Sequence, residues 1–323
     1  MRLPRFFENQ TVNRIAKYVI AMTLVGGNAQ AAPLLSTNAT TTFHKTEVNG
    51  VGVFYREAGP ENAATILLLH GFPSSSREFD TLIPLLATRY HVIAPDYPGF
   101  GLSDAPPPSS YAYTFAHLAE TMSALLDKLR VSRCTMYLHD YGAPVGLRMI
   151  VAHPNRLQGL ISQNGNIYQA GLGTKWAKIA EYWADPKTHS EVLDAFLSLE
   201  ATRERHTAGT SHPERYNPDT WNDEYAGLSR PGQREIQGDL LYDYQTNVAS
   251  YSEWQGWLRE HQPPTLVAWG EHDPSFLPAG AKAFKQDLPN AEIHLLSAGH
   301  FALDEQTDQI AVLILRFLSE HPG

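Results

Sequence analysis

Cysteine is almost absent from this chain of 323 residues: Cys134 stands alone, so no intramolecular disulfide can form. Its place in an apolar run reads as a buried strand residue. Positive charge is also scarce. With 25 Lys and Arg against 34 Asp and Glu, the formal net charge is -9, which speaks against nucleic acid and anionic membrane surfaces as partners. No H-x-x-x-H pattern or paired cysteine stands out, so no metal site is expected. The glycines of Gly99-Phe100-Gly101-Leu102-Ser103 lack the lysine of a phosphate loop and the setting of a dinucleotide site, so no cofactor is expected. There is no internal repeat, and no G-x-S-x-G.

What is present is 43% hydrophobic residues, enough for a sizeable core. Residues 1–31 read as a signal peptide. Arg2, Arg5, Arg14 and Lys17 form a basic start, interrupted by Glu8; residues 18–25 are a short apolar stretch; Ala29-Gln30-Ala31 has the form of a cleavage site. That apolar stretch is too short to span a bilayer. The expectation is a periplasmic or secreted protein with no stable membrane insertion, the alternative being a simple N-terminal extension. The Ser/Thr/Ala-rich stretch 36–42 reads as a lead-in.

From there the pattern alternates. Strands are expected at 51–57, 65–69, 91–94, 134–138 and 159–163. A helix is expected over 113–129, where Phe115, Leu118, Met122, Leu125, Leu126 and Leu129 share one stripe. The run Thr-Ile-Leu-Leu-Leu at 65–69 is apolar throughout, as in a strand buried on both faces. Between 164 and 262 strand candidates vanish, and Trp, Tyr and charged residues dominate in helical spacing. Strands then return at 265–269 and 292–296, with helices at 279–287 and 308–318. This predicts a mostly parallel, doubly wound α/β sheet built from 32–163 and 263–323, with 164–262 inserted as a helical cap. An independent helical domain is the alternative for that block.

The most informative segment is Leu138-His139-Asp140-Tyr141-Gly142. It joins a buried strand to a helix, the setting of a strained turn that lifts one side chain above a sheet. The residue on the tip is Asp140, and a carboxylate there suits attack on an sp3 carbon to give an ester that water later cleaves. Such chemistry needs a base, a carboxylate to orient it, and N–H donors for the oxyanion. His300, in Ser297-Ala298-Gly299-His300-Phe301, fits as the base; Asp273, in Trp269-Gly270-Glu271-His272-Asp273, fits as its partner, with Glu271 as the competitor. The N–H groups of Phe72 and Tyr141 fit as the oxyanion donors. His139 reads as a neighbour of the site, and His70 as a structural residue behind the Phe72 loop.

These segments together resemble the α/β-hydrolase superfamily, within it the aspartate-nucleophile branch of epoxide hydrolases and haloalkane dehalogenases. The resemblance covers about 51–318. It rests on His70-Gly71-Phe72-Pro73, the segment Asp96 to Ser103, the Asp140 turn, Trp269-Gly270-x-x-Asp273 and Gly299-His300, in the family's order. Leu138 departs from it, since many members carry a small residue two places before the nucleophile. The resemblance implies that dehalogenases hold the halide with a Trp after the nucleophile and a second Trp or Asn. Here those positions hold Tyr141 and Phe72. Epoxide enzymes use cap tyrosines instead. Tyr244 resembles one, although Gln245 follows it where an Arg is expected, and Tyr182 or Tyr168 is a candidate second. Trp176 and Trp183 keep a halide donor open. Fluoroacetate-type members carry arginines at the positions of Tyr141 and Pro144, and Arg148 is expected to face away. The expected function is a cofactor-independent epoxide hydrolase acting on small apolar epoxides. Haloalkane dehalogenase is the alternative, with esterase, lactonase and non-catalytic ligand binding further behind.

Overall fold

The computed structural model describes residues 40–322 apart from residue 211, and gives no side-chain account of residue 215. The expected signal peptide at 1–31 lies outside the described residues.

The alternation seen in the sequence becomes one eight-stranded sheet: β1 (Thr42–Val48), β2 (Val51–Ala58), β3 (Thr65–Leu69), β4 (His91–Pro95), β5 (Cys134–His139), β6 (Leu157–Gln163), β7 (Thr265–Gly270) and β8 (Glu292–Leu296). Their spatial order is β1-β2-β4-β3-β5-β6-β7-β8. β1 and β2 pair antiparallel, as do β2 and β4; every other neighbour pair is parallel. β1 was not expected. It is an edge strand whose polar side chains leave it largely exposed, so its apolar alternation is faint. It is joined to β2 through Asn49-Gly50, both at positive φ (52° and 82°), a two-residue hairpin turn.

Helices cover both faces. α1 (Ile83–Leu86) and α10 (Ala302–Glu320) lie on one; α2 (Phe115–Lys128), α3 (Gly142–Ala152) and α9 (Pro278–Asp287) lie on the other. The period-two geometry of a strand divides its residues between the two layers. Thus Leu67 and Leu69 of β3 join the core under α2 and α3, while Ile66 and Leu68 join the core under α1 and α10. α10 begins at Ala302, six residues before the expected start, because the chain is helical on both sides of a kink at Gln306 (φ -125°, ψ 24°).

Between β6 and β7 the chain leaves the sheet to form α4 (Trp176–Ala184), α5 (Ser190–Phe196), α6 (Leu199–Thr207), α7 (Pro218–Leu228) and the long α8 (Gln233–His261). This helical block belongs to the same compact unit as the sheet, with no separate domain split within the described residues. α8 is tied to the core at two points. Asp243 accepts from Phe115 N at the start of α2 (2.8 Å), and Arg148 of α3 donates to Asn247 Oδ1 (2.7 Å) and Thr246 Oγ1 (3.0 Å). Arg148 therefore serves as a clamp on α8, turned away from the Asp140 cavity as expected. No helix of the described residues is long and apolar enough to cross a membrane.

The bulky Leu138 is accommodated by Gly146 one helix away: a Cβ at Gly146 would lie 2.2 Å from Leu138 Cδ2. Gly146→Ala is expected to lower unfolding stability by about 1–3 kcal/mol through overpacking. Urea denaturation should show part of that cost removed in a Leu138→Ala background, since the two sites share one contact.

Candidate active site

Asp140 follows β5 directly and precedes α3, and it sits at φ 48°, the left-handed region that side chains rarely adopt. Two glycines make this turn possible. A Cβ on Gly142 would meet Leu69 O at 2.3 Å, and one on Gly71 would meet Asp140 Cβ at 2.5 Å. The carboxylate is buried, with Oδ1 accepting from Phe72 N at 2.8 Å and Oδ2 lying 3.5 Å from His300 Nε2. On the other side of the ring, His300 Nδ1 donates to Asp273 Oδ2 at 2.8 Å. The loops after β5, β7 and β8 thus bring Asp140, Asp273 and His300 into one line at the C-terminal edge of the sheet, the edge where α/β folds place their sites. Glu271 is exposed and faces His272 instead, at 3.8 Å.

The sequence reading missed a residue that holds this line. Asn164, itself at φ 48°, donates Nδ2 to Asp273 Oδ2 (2.7 Å) and accepts at Oδ1 from Gly270 N (2.9 Å). Ser275 N donates to the other Asp273 oxygen at 2.6 Å. His139 packs beside His300, with ring centroids 4.9 Å apart, and bridges Glu78 Oε1 (3.0 Å) and His300 O (3.2 Å). His70 donates Nδ1 to Gly71 O (2.9 Å) and accepts from Tyr97 N (3.2 Å), bracing the loop that presents Phe72 N. Burial lowers the His70 pKa and keeps it neutral in that role.

Electrostatics follow from this geometry. Burial alone would raise the Asp140 carboxyl; the hydrogen bond and charge of His300, the charge of His139 and the Phe72 N–H outweigh it and hold the group at about 2. Burial likewise opposes protonation of His300. The charge of Asp273, with the hydrogen bonds to Asp140 and Asp273, overcomes it and lifts the imidazole to about 9. At neutral pH the resting pair is therefore carboxylate and imidazolium.

Asp140 and His300 line a small cavity of about 20 Å³, room for one water molecule. A cleft of about 660 Å³ lies elsewhere, between α7 and the Ser74–Glu78 loop, and neither Asp140 nor His300 lines it. Size does not decide the site, since the clustered acid and base belong to the smaller space. Its apolar wall is Trp176, Ile179, Phe196, Leu241 and Phe276, with Tyr141 and Tyr244 beside Asp140. The Tyr141 hydroxyl is buried with no hydrogen-bond partner among the described residues, and the Tyr244 hydroxyl, also buried, faces the hydroxyl of Tyr251.

The structure does not bring Tyr168 or Tyr182 to this cavity. Tyr168 Oη donates to Asp287 Oδ2 of α9 at 2.7 Å, and Tyr182 Oη donates to Gly238 O within the helical block at 3.4 Å. Tyr182 is on α4 and Tyr168 lies in the connection between β6 and α4, and packing alone explains a tyrosine at either place. The indole N–H groups of Trp176 and Trp183 are engaged as well, on Ser275 O (3.0 Å) and Leu241 O (2.7 Å). Two further residues line the cavity that no motif announced: Lys175, just before α4, and Arg205 of α6. Lys175 donates to Ser275 Oγ. Arg205 lies over the rings of Phe72 (4.8 Å) and Phe196 (4.5 Å) and donates Nη2 to Phe196 O at 2.7 Å. A single Lys or Arg in a helical block carries no spacing signal.

A sequence profile described as alpha/beta hydrolase fold matches residues 64–307. The chain belongs to the α/β-hydrolase fold family. It is a hydrolase of that superfamily, similar to an uncharacterized hydrolase of Saccharomyces cerevisiae, YNR064C, at 40% identity over 88% of this chain and all of the relative. It is also similar to a haloalkane dehalogenase of Psychrobacter cryohalolentis, at 27% identity over 84% of this chain and 88% of the relative. Among solved structures, the epoxide hydrolase CorEH superposes with a TM-score of 0.71 at 21% identity, over 87% of this chain and 99% of that one; at that identity the likeness speaks to the fold.

The His300 charge gives a pH prediction. Its pKa is raised on folding, so the stabilisation it brings is complete below about 6.5 and is lost as pH rises through about 9. In Asp140→Asn the anion facing Nε2 is gone, and the His300 midpoint should fall. An NMR titration of the imidazole checks this; an unchanged midpoint would mean that Asp140 does not set the charge of His300.

Proposed function

We propose that this hydrolase opens small epoxides through a covalent ester on Asp140. The observation that carries the reading is the set around that carboxylate: buried and ionised, one oxygen on Phe72 N–H, the other facing His300, with the buried Tyr141 and Tyr244 on the same cavity, Tyr244 facing the Tyr251 hydroxyl. In the first step an Asp140 oxygen forms a bond to a ring carbon and the ring C–O bond breaks. The alkoxide takes a proton from Tyr244 Oη. Esterification removes the Asp140 charge that holds His300 protonated, so the imidazolium releases its proton, which returns the Tyr244 phenolate to its neutral form and leaves His300 neutral.

In the second step neutral His300 takes a proton from water as it attacks the ester carbon. The tetrahedral oxyanion is met by Phe72 N–H, already aimed at Asp140, and by Tyr141 N–H at the start of α3, where helical N–H groups have no internal partner. The Cγ–O bond to the product then breaks, the departing alkoxide takes the proton from His300, and the proton of the resulting Asp140 carboxylic acid passes to His300, which restores the carboxylate and imidazolium. Asp273 and Asn164 hold the imidazole in the orientation both steps need.

A halide leaving group is less well served. The two cap indoles that could hold it spend their N–H on backbone carbonyls, and Phe72 offers no side-chain donor. The likeness to a haloalkane dehalogenase therefore supports the covalent ester more than the halide.

His300→Gln should stop turnover and accumulate a protein heavier by the full mass of a styrene-type epoxide, seen by intact mass spectrometry and mapped to Asp140. A bromoalkane should give no such adduct. Tyr244→Phe should slow alkylation by about 10²-fold, the usual scale for losing a positioned proton donor. An alkyl adduct with bromide release would move the assignment to dehalogenation. Full turnover by Asp140→Asn, free of deamidation, would remove the ester altogether.

A further inference from the structure

Two cations on the cavity wall have no task in the reaction above. Asp140 is the sole carboxylate lining the cavity, and it is taken by Phe72 N–H and His300. Among the described residues no carboxylate lies within ion-pair distance of Lys175 or Arg205. Glu224, an acid whose charge reaches Arg205, is engaged by His206 at 2.8 Å. Arg205 Nη1 is buried with no hydrogen-bond partner, and so is the Tyr141 hydroxyl, on the same cavity. A guanidinium nitrogen can only donate, so what this corner lacks is an acceptor.

We propose that Arg205, Tyr141 Oη and Lys175 form a subsite for a carboxylate on the substrate. The substrate is then a small epoxy acid, its carboxylate against α6 and its ring against Asp140. This rests on the epoxide reading for the reacting group, though the anion site itself stands on the cavity alone.

Charge supports it. The charges of Asp140 and Glu204 reach both cations, and that of Glu224 reaches Arg205, but none of these carboxylates is in contact with either one. Unpaired buried cations are costly, and the cost shows: burial, with the Arg205 charge beside it, pulls Lys175 down to about 8, and burial pulls Arg205 down to about 10. An arriving carboxylate would relieve both. The guanidinium lies against Phe72 and Phe196, rings that stack on each other, and Nη2 is held on Phe196 O, which leaves the unpartnered Nη1 to donate to a carboxylate. The expected purely apolar substrate fits the aromatic wall but leaves this corner unmatched.

The test uses the unmodified enzyme and three probes: butyrate, butyramide and bromide, each titrated by calorimetry. Butyrate should bind about tenfold or more tightly than the isosteric amide, and Arg205→Met should abolish that difference, as expected for loss of a charge-assisted contact. Lys175→Met, a change outside α6, should weaken butyrate in the same direction and serves if the Arg205 variant does not fold. Equal binding of butyrate and butyramide, or butyrate binding unchanged in both variants, overturns the subsite. Bromide binding tighter than butyrate and lost in Arg205→Met would overturn the carboxylate assignment in favour of a halide. The two readings fail separately. Butyrate selectivity without any covalent adduct on His300→Gln would keep the subsite and discard the epoxide, and an adduct from a neutral epoxide without butyrate selectivity would do the reverse.

Discussion

Everything at this site depends on a carboxylate being held at a backbone conformation that an L-residue resists. Asp140 at φ 48° stores strain of order 1–2 kcal/mol. It persists because the sheet and α3 over-determine the turn. β5 is paired on both sides, with β3 and β6, and α3 must start at once, over a Gly142 that lets the helix approach Leu69 O. Gly71 leaves just enough room for Asp140 Cβ, and the same loop delivers Phe72 N–H to its oxygen. The fold fixes the carboxylate first, and the other groups take their positions from it.

The second constraint is charge. Asp140, His300 and Asp273 alternate in sign, each buried, so every member holds the ionisation of the next. Esterification of Asp140 would break that chain and release His300 to act as a base, so the intermediate itself would switch the imidazole from stored acid to base. The helical block adds positive charge on the opposite wall through Lys175 and Arg205, and it is fastened to the core by the Arg148 and Asp243 contacts of α8. His206, next to Arg205, is lifted to about 10 by Glu224 and Asp304, against the effect of burial, and links α6 to α7 and α10 as a cation. The wall that carries Arg205 is thereby anchored to the segment that follows His300.

Legibility in the sequence tracked how local each signal is. The buried strands 65–69 and 134–138 showed as continuous apolar runs, and Asp140, Asp273 and His300 each sat in a short motif after a strand, so their convergence could be anticipated. β1 was missed because its exposed polar face blurs the alternation, although Asn49-Gly50 carried a hairpin signal. Between β6 and β7 a tyrosine looks alike in the sequence whether it faces the site or packs elsewhere. Tyr244 lines the cavity, whereas Tyr168 reaches Asp287 and Tyr182 reaches Gly238. Asn164, Lys175 and Arg205 act through contacts with residues about 100 to 130 positions away, which no spacing rule encodes.

The central claim is that product oxygen comes first from the protein and only later from water. Single-turnover hydrolysis of an epoxide with enzyme in excess, in water enriched in oxygen-18, tests it most directly. The account predicts unlabelled diol in the first turnover, with the label entering the Asp140 carboxyl. Label in the diol at the first turnover, with Asp140 unlabelled, would mean that water attacks the substrate directly and that Asp140 is not the nucleophile.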